Sequence, residues 1–215
     1  MCFEFEAHRP HASNSKHKRK APLMKISILG SGNVGSALSS RLTAIGHEVV
    51  TADTSTGPER TAAQAAQADL VILAVPFAAV ETLDPRVGAS LAGKVVVDAT
   101  NPLAPDFMSL TVGHTASGGE RVAAALPGAR VVKAFNTVFA GHLGEDGAGR
   151  FLPVAGDDEA AKKTVLDLGA QLGFDAVDAG PLANARYTEP AVELLIQLAY
   201  GRGMGDGIAF TLTRA

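Results

Sequence analysis

A chain of 215 residues, 47% hydrophobic and 19% charged, has the composition of an ordinary soluble globular protein and is long enough for one domain with a sizeable core. Its one cysteine, Cys2, excludes an internal disulfide framework and a cysteine-based zinc site. The longest apolar run, Leu70 to Val80, is broken by Pro76 and too short for a membrane helix.

The net charge of −3 conceals a division along the chain. Residues 1–23 carry five basic residues against Glu4 and Glu6, while residues 24–215 hold 14 basic against 20 acidic. The stretch HASNSKHKRKAP has no apolar period. It reads as a solvated, disordered stretch, an upstream start or a dispensable extension, without the apolar core of a secretory signal; a nucleic-acid arm is the minor alternative. From Met24 onward short apolar strands alternate with helical segments, the mark of an α/β fold with a mostly parallel sheet. Strands are expected over 25–29, 48–52, 69–75, 94–98, 130–135, 151–155 and 174–178. Helices are expected over 34–45, 59–67, 119–126, 157–172 and 182–200. Gly46 and Gly173 stand where helix-ending glycines belong, and Asp157 and Asp158 favour a helix start. Residues 54–68 leave room for only a turn and one short helix, so the adenine side of the usual dinucleotide fold is abbreviated. Residues 24–215 therefore read as a single dinucleotide-binding domain with a small C-terminal addition from about residue 150.

The chemistry gathers at the strand ends. Strand 25–29 runs into Gly30-Ser31-Gly32-Asn33-Val34-Gly35 and then a helix. In this pattern the first glycine makes the tight turn and the second lets a pyrophosphate approach. The third packs helix on sheet, and the helix N-terminus attracts phosphate. In an open parallel sheet, ligands sit beyond the carboxyl ends of the strands. Four further ends would share that edge: Asp53-Thr54, Val75-Pro76-Phe77, Thr100-Asn101-Pro102 and Asn136-Thr137-Val138. Asp53 would accept hydrogen bonds from a free ribose 2′-hydroxyl and repel a 2′-phosphate, and the nearest following arginine is Arg60, which favours NAD. No serine-hydrolase elbow, metalloprotease motif or phosphate-transfer loop is present. His47 reads as structural; His114 and His142 fall in glycine-rich stretches with no group to orient them. No catalytic acid or base and no metal ligand is assigned.

The stretches ILGSGNVGSAL, GHEVV, LAVPF, VVDATNPL, LPGARVVKAFNTVFA, LPVAGDDEAAKKTV and DAGPLANARYTEPAVELLIQLAYGRGMGDGIAF resemble the F420-dependent NADP oxidoreductases and the related NADPH domain of membrane metalloreductases. The resemblance covers nearly all of residues 24–212. It implies a Rossmann-like doubly wound sheet with a small C-terminal α/β addition. It also implies NADP or NAD as cofactor and hydride transfer between nicotinamide C4 and the deazaflavin coenzyme F420, or a flavin-like acceptor. Such a transfer depends on ring alignment and needs no acid or base. By the same resemblance Ser31, Gly32, Asn33 and Val34 hold the pyrophosphate. Ala74, Val75, Pro76, Phe77, Thr137 and Val138 line the nicotinamide half, and Met204 matches a methionine near the reacting rings. Where NADP-specific members carry Ser-Arg, this chain reads Asp53-Thr54, so the phosphate-pairing arginine is missing. The expectation is a soluble, cytoplasmic NAD(P)-dependent oxidoreductase with a small-molecule partner and no nucleic-acid or membrane partner. The alternative is a dinucleotide-binding redox sensor without turnover. The apolar stretch 191–200 would serve either the core or a homodimer interface.

Overall fold

The computed structural model describes residues 22–214. The extension read over residues 1–23 lies outside the described residues except for Pro22 and Leu23. Seven strands form one sheet in the order β2-β1-β3-β4-β5-β6-β7. β1 (Lys25–Leu29), β2 (Glu48–Ala52), β3 (Leu70–Leu73), β4 (Val95–Asp98) and β5 (Arg130–Lys133) are parallel. β6 (Phe151–Gly156) joins β5 antiparallel through Val132 and Lys133, and β7 (Asp175–Asp178) runs parallel to β6. β3 pairs directly with β1, and only α2 (Pro58–Gln67) intervenes between β2 and β3. This is the Rossmann-like arrangement with the shortened adenine side that the spacing of residues 54–68 predicts.

The strands alternate between two buried layers, as a sheet covered on both faces requires. Ile26, Ile28, Leu70, Ile72 and Val97 pack against α1 (Asn33–Ala44), α6 (Ala140–Leu143) and α7 (Glu159–Gln171). Leu29, Val71, Leu73 and Val96 face α2, α3 (Phe77–Val80), α4 (Pro85–Ser90) and α5 (Gly118–Ala125). The C-terminal segment is tied back polar group by polar group. The Asp157 carboxylate accepts from Leu182 N at 2.9 Å, Phe151 N donates to Phe210 O at 3.0 Å, and Arg214 pairs with Asp175 at 2.7 Å.

Two strands stop two residues sooner than their apolar runs. Past Leu73 the β1 turn crosses over Ala74; past Lys133 the chain swings into a left-handed conformation at Phe135, φ 64°. Residues 182–200, read as one helix, divide into a 3₁₀ turn (Leu182–Asn184), α8 (Ala185–Ile196) and a π turn (Gln197–Gly201). α3, α4 and α6 have four to six residues each, too short to show a helical period. Among the described residues no helix is long and apolar enough to cross a membrane.

Candidate active site

The glycine turn behaves as its three positions require. Gly30 lies at φ 114°, and a Cβ there would sit 2.2 Å from Ala74 O. A Cβ on Gly35 would sit 2.0 Å from Gly30 O, so strand turn and helix cross in contact. Gly32 differs: no protein atom lies within 4 Å of where its Cβ would be. It is the N-cap of α1, and no side chain caps that helix, so its first N–H groups are left for another partner. Two clefts flank this helix start.

The first cleft, of about 600 Å³, lies over Gly30, Ser31 and Gly32 and is bounded by Asp53, Thr54, Ala74, Val75 and Pro76. Asp53 is held by neighbours of its own: its Oδ2 accepts from Ser31 Oγ at 3.1 Å, and its Oδ1 from Ser55 N and Ser55 Oγ at 2.9 and 2.6 Å. The hydrogen bonds from Ser55, side chain and backbone, with that from Ser31, hold its carboxyl below the ordinary aspartate value, so it is ionised at neutral pH. Asp84 is a second carboxylate on this cleft, and no lysine or arginine is among the described residues that line it.

The next two strand ends are locked together. Asn101 Nδ2 donates to Asn136 O at 3.0 Å, and Asn136 Nδ2 donates to Asn101 Oδ1 at 3.1 Å. Below them lies a buried ionic cluster that the sequence pattern does not reveal. Lys133 Nζ, 1% exposed, reaches Asp98 Oδ2 and Glu189 Oε1 at 2.9 Å each and donates to Thr100 O at 2.7 Å. Asp98 Oδ1 accepts from Thr100 N and Oγ1, so the residue before Asn101 is pinned from three directions. Glu189, on α8, also accepts from Gly118 N and Gly119 N at the start of α5, at 2.8 and 2.9 Å. At the end of β5, Asn136 Oδ1 and Thr137 Oγ1 are buried without a partner. A positive φ at a phenylalanine and two orphaned polar atoms in succession are features that cluster where backbone strain serves a function.

The second cleft, of about 840 Å³, lies on the other side of the α1 start and includes Asn33 and Val34. Its walls come from three remote segments: Phe107 and Met108 of the β4–α5 loop, Phe139 after β5, and Tyr200 of the π turn. Phe139 and Tyr200 meet edge to face, ring centres 5.9 Å apart, and Gln197 Nε2 clamps the loop by donating to Met108 O. Phe107 is 65% exposed at φ 59°. These wall residues were not singled out in the sequence, although the long irregular stretch between β4 and α5 is the kind that carries function.

The remaining expected residues are placed as follows. Phe77 begins α3 and lies 3.2 Å from where a Cβ on Gly118 would stand. Thr137 and Val138 are buried beneath the edge. Met204 is 59% exposed in the terminal loop and lines neither cleft. His47 is buried with Nδ1 accepting from Met24 N, a structural position. His142 stands in the short helix α6, not in a loop, and His114 in a turn at φ 61°; neither lines a cleft.

A five-stranded parallel edge, a crossed glycine turn and an uncapped helix start between two clefts define a Rossmann-type α/β domain. The family described as NADP oxidoreductase, coenzyme F420-dependent, matches residues 25–102. The F420-dependent NADP reductase of Methanothermobacter marburgensis is 33% identical over 213 residues, covering 81% of this chain and 92% of its own. The metalloreductase STEAP3 of Rattus norvegicus is 33% identical over 185 residues; the match covers 80% of this chain but only 36% of that much longer protein. A crystal structure of a proposed F420-dependent NADP reductase from Arthrobacter sp. FB24 superposes with a TM-score of 0.77 at 31% identity, covering 89% of this chain and all of the other. The chain belongs to the family of F420-dependent NADP reductases and is thus a nicotinamide-dependent oxidoreductase.

Proposed function

We propose that this protein passes a hydride between a nicotinamide dinucleotide laid along the strand ends and a flat conjugated acceptor of the deazaflavin or flavin type held in the second cleft. The observation that carries the reading is Gly32, open on its Cβ side at the uncapped start of α1, with a cleft on either hand. When bound, the nicotinamide supplies or receives hydride at its C4. The chain's own residues bind and align. The Gly30–Gly35 turn and the first N–H groups of α1 hold the pyrophosphate, and Asp53 and Thr54 take the adenine-side ribose. Ala74, Val75 and Pro76, on the first cleft, and Phe77 beside them flank the dinucleotide, with Asn101, Asn136, Thr137 and Val138, at the next two strand ends, assigned to the nicotinamide half. Met204 is assigned to the rim by resemblance alone.

The adenine side favours the dinucleotide without a 2′-phosphate. An ionised Asp53, with no lysine or arginine among the described residues that line the cleft, accepts ribose hydroxyls and repels a phosphate dianion; Asp84, on the same cleft, is paired with Arg86 and adds little to that repulsion. NADH is expected to bind more tightly than NADPH, and Asp53→Ser to narrow the ratio by about tenfold, the equivalent of ~1.4 kcal/mol. Because the Asp53 pKa is lowered, the preference holds at neutral pH; it weakens as the 2′-phosphate dianion gains a proton at about pH 6 and is lost as pH falls through the Asp53 value. Fluorescence titration with both dinucleotides measures it; tighter NADPH binding by the unaltered protein would show that Thr54, Ser55, Thr56 or Arg60 receives the phosphate. Turnover is tested by adding a deazaflavin, a flavin and a quinone in turn to the NADH complex. Oxidation by none of them would leave a dinucleotide sensor in place of an enzyme.

A further inference from the structure

The charge around the second cleft narrows its occupant. We infer that the cleft takes a flat two-electron acceptor bearing no negative charge, of the quinone or tail-free deazaflavin type, and disfavours coenzyme F420 itself, whose side chain bears a phosphodiester and carboxylates. This rests on reading that cleft as the acceptor's side.

Shape argues for a planar ring. Phe107, Phe139 and Tyr200 supply three aromatic surfaces to one opening, and the edge-to-face packing of the last two fixes their orientation. Charge argues against an anion. Asp106 and Asp206 both line the cleft and both are exposed. Asp106 Oδ1 accepts from Met108 N and so shapes the loop that carries Phe107. Glu193 stands behind the wall: its Oε1 accepts from Gln197 Nε2 at 2.9 Å, and its Oε2 is buried without a partner. No lysine or arginine is among the described residues that line the cleft. Arg202 follows Tyr200 by two residues and points no group into the lining; Arg186 is committed to Glu120, and Arg41 lies 3.8 Å from Asp146. Phosphodiesters are held by Arg or Lys forks or by the N–H groups of a helix start, and the N–H groups at the start of α1 are already assigned to the pyrophosphate. Here an anionic tail meets two carboxylates, Asp106 and Asp206, at a mouth whose apolar walls focus their field.

The reaction balances with such an acceptor. The nicotinamide C4–H bond breaks with its electron pair, the hydride reduces a quinone, and the reduced quinone takes one proton from solvent. NADH is oxidised and a hydroquinone leaves.

The test is a matched pair of ligands measured by direct binding to the protein loaded with oxidised NAD, which cannot reduce them: 5-deazariboflavin against coenzyme F420, at low and high ionic strength. Fluorescence titration is expected to favour the tail-free compound about tenfold at low salt, within the range electrostatic focusing produces. That ratio is expected to shrink toward unity at high salt and in the Asp106→Asn/Asp206→Asn variant, which keeps the Oδ1 acceptor for Met108 N. Equal or tighter binding of F420 at low salt, or a ratio that neither salt nor the variant moves, overturns the inference. Steady-state oxidation of NADH by 1,4-naphthoquinone against its 2-sulfonate should follow the same order. Because the titration does not depend on turnover, ligands that bind in the expected order without oxidising NADH would refute the enzyme reading and leave the charge assignment standing.

Discussion

Glu189→Ala is expected to cost about 3–5 kcal/mol of folding stability, the range found when one partner of a buried ion pair is removed. The mechanism is local and threefold. Lys133 keeps its ammonium 1% exposed with only Asp98 opposite, and Gly118 N and Gly119 N lose their acceptor at the start of α5. Burial alone would depress the Lys133 pKa, but the Asp98 and Glu189 carboxylates outweigh it and hold it above the ordinary lysine value. A raised pKa contributes stability that is complete below the ordinary lysine value and is lost as pH rises through the folded one, so the deficit should persist across the neutral range. Urea unfolding would show a lower midpoint, and Lys133→Met with Glu189→Met should lose less than the two single changes together, because both singles lose the same Lys133–Glu189 contact, although the double variant still leaves Asp98 buried without its cation. A loss below about 1 kcal/mol would mean that water relieves the cluster. The effect should reach the site as well. Lys133 and Asp98 pin Thr100, and Thr100 precedes the asparagine that locks to Asn136. NADH affinity measured under conditions where the variant is fully folded should therefore fall.

That cluster marks where reading the sequence stops. β1 and β2 have the bounds their apolar patterns predict, and the glycine turn does what its spacing says, because the apolar runs and the five-residue spacing of Gly30 and Gly35 are written locally even where the contact that needs Gly30 is with the distant Ala74. The missing strand beside β2 was legible as a distance along the chain. Lys133 and Glu189 gave no such signal: one ends an apolar strand, the other sits mid-helix, and both have the look of solvated residues until α8 docks on α5. The second cleft was hidden for the same reason. Phe107, Phe139 and Tyr200 come from separate segments with no mutual spacing, and their meeting depends on the π turn after α8. The early ends of β3 and β5 were likewise set by long-range events, the crossing at Ala74 and the left-handed Phe135.

Gly32→Ala should separate fold from function more cleanly than any other single change. At φ −69° alanine is unstrained, and nothing in the protein lies within 4 Å of the added methyl, so the variant should melt at or slightly above the temperature of the unaltered chain. The methyl would stand where the pyrophosphate must approach the backbone, and NADH affinity should fall on the order of tenfold or more, at least ~1.4 kcal/mol. Gly35→Ala has the opposite character. Its methyl would fall 2.0 Å from Gly30 O, a contact no rotamer relieves because both atoms belong to the crossing of turn and helix. Either the helix start moves away from the sheet or Gly30 does, and stability and dinucleotide binding should be lost together. Differential scanning fluorimetry with and without NADH distinguishes the two: an undiminished melting point with a much smaller NADH-induced shift for Gly32→Ala, and a lowered melting point with a similarly reduced shift for Gly35→Ala. Normal NADH stabilisation of the Gly32 variant would place the phosphates elsewhere than on the α1 turn. The assignment of the first cleft to the dinucleotide and of the second to its acceptor would then have to be given up, since the two flank the same helix start at Gly32 and Asn33.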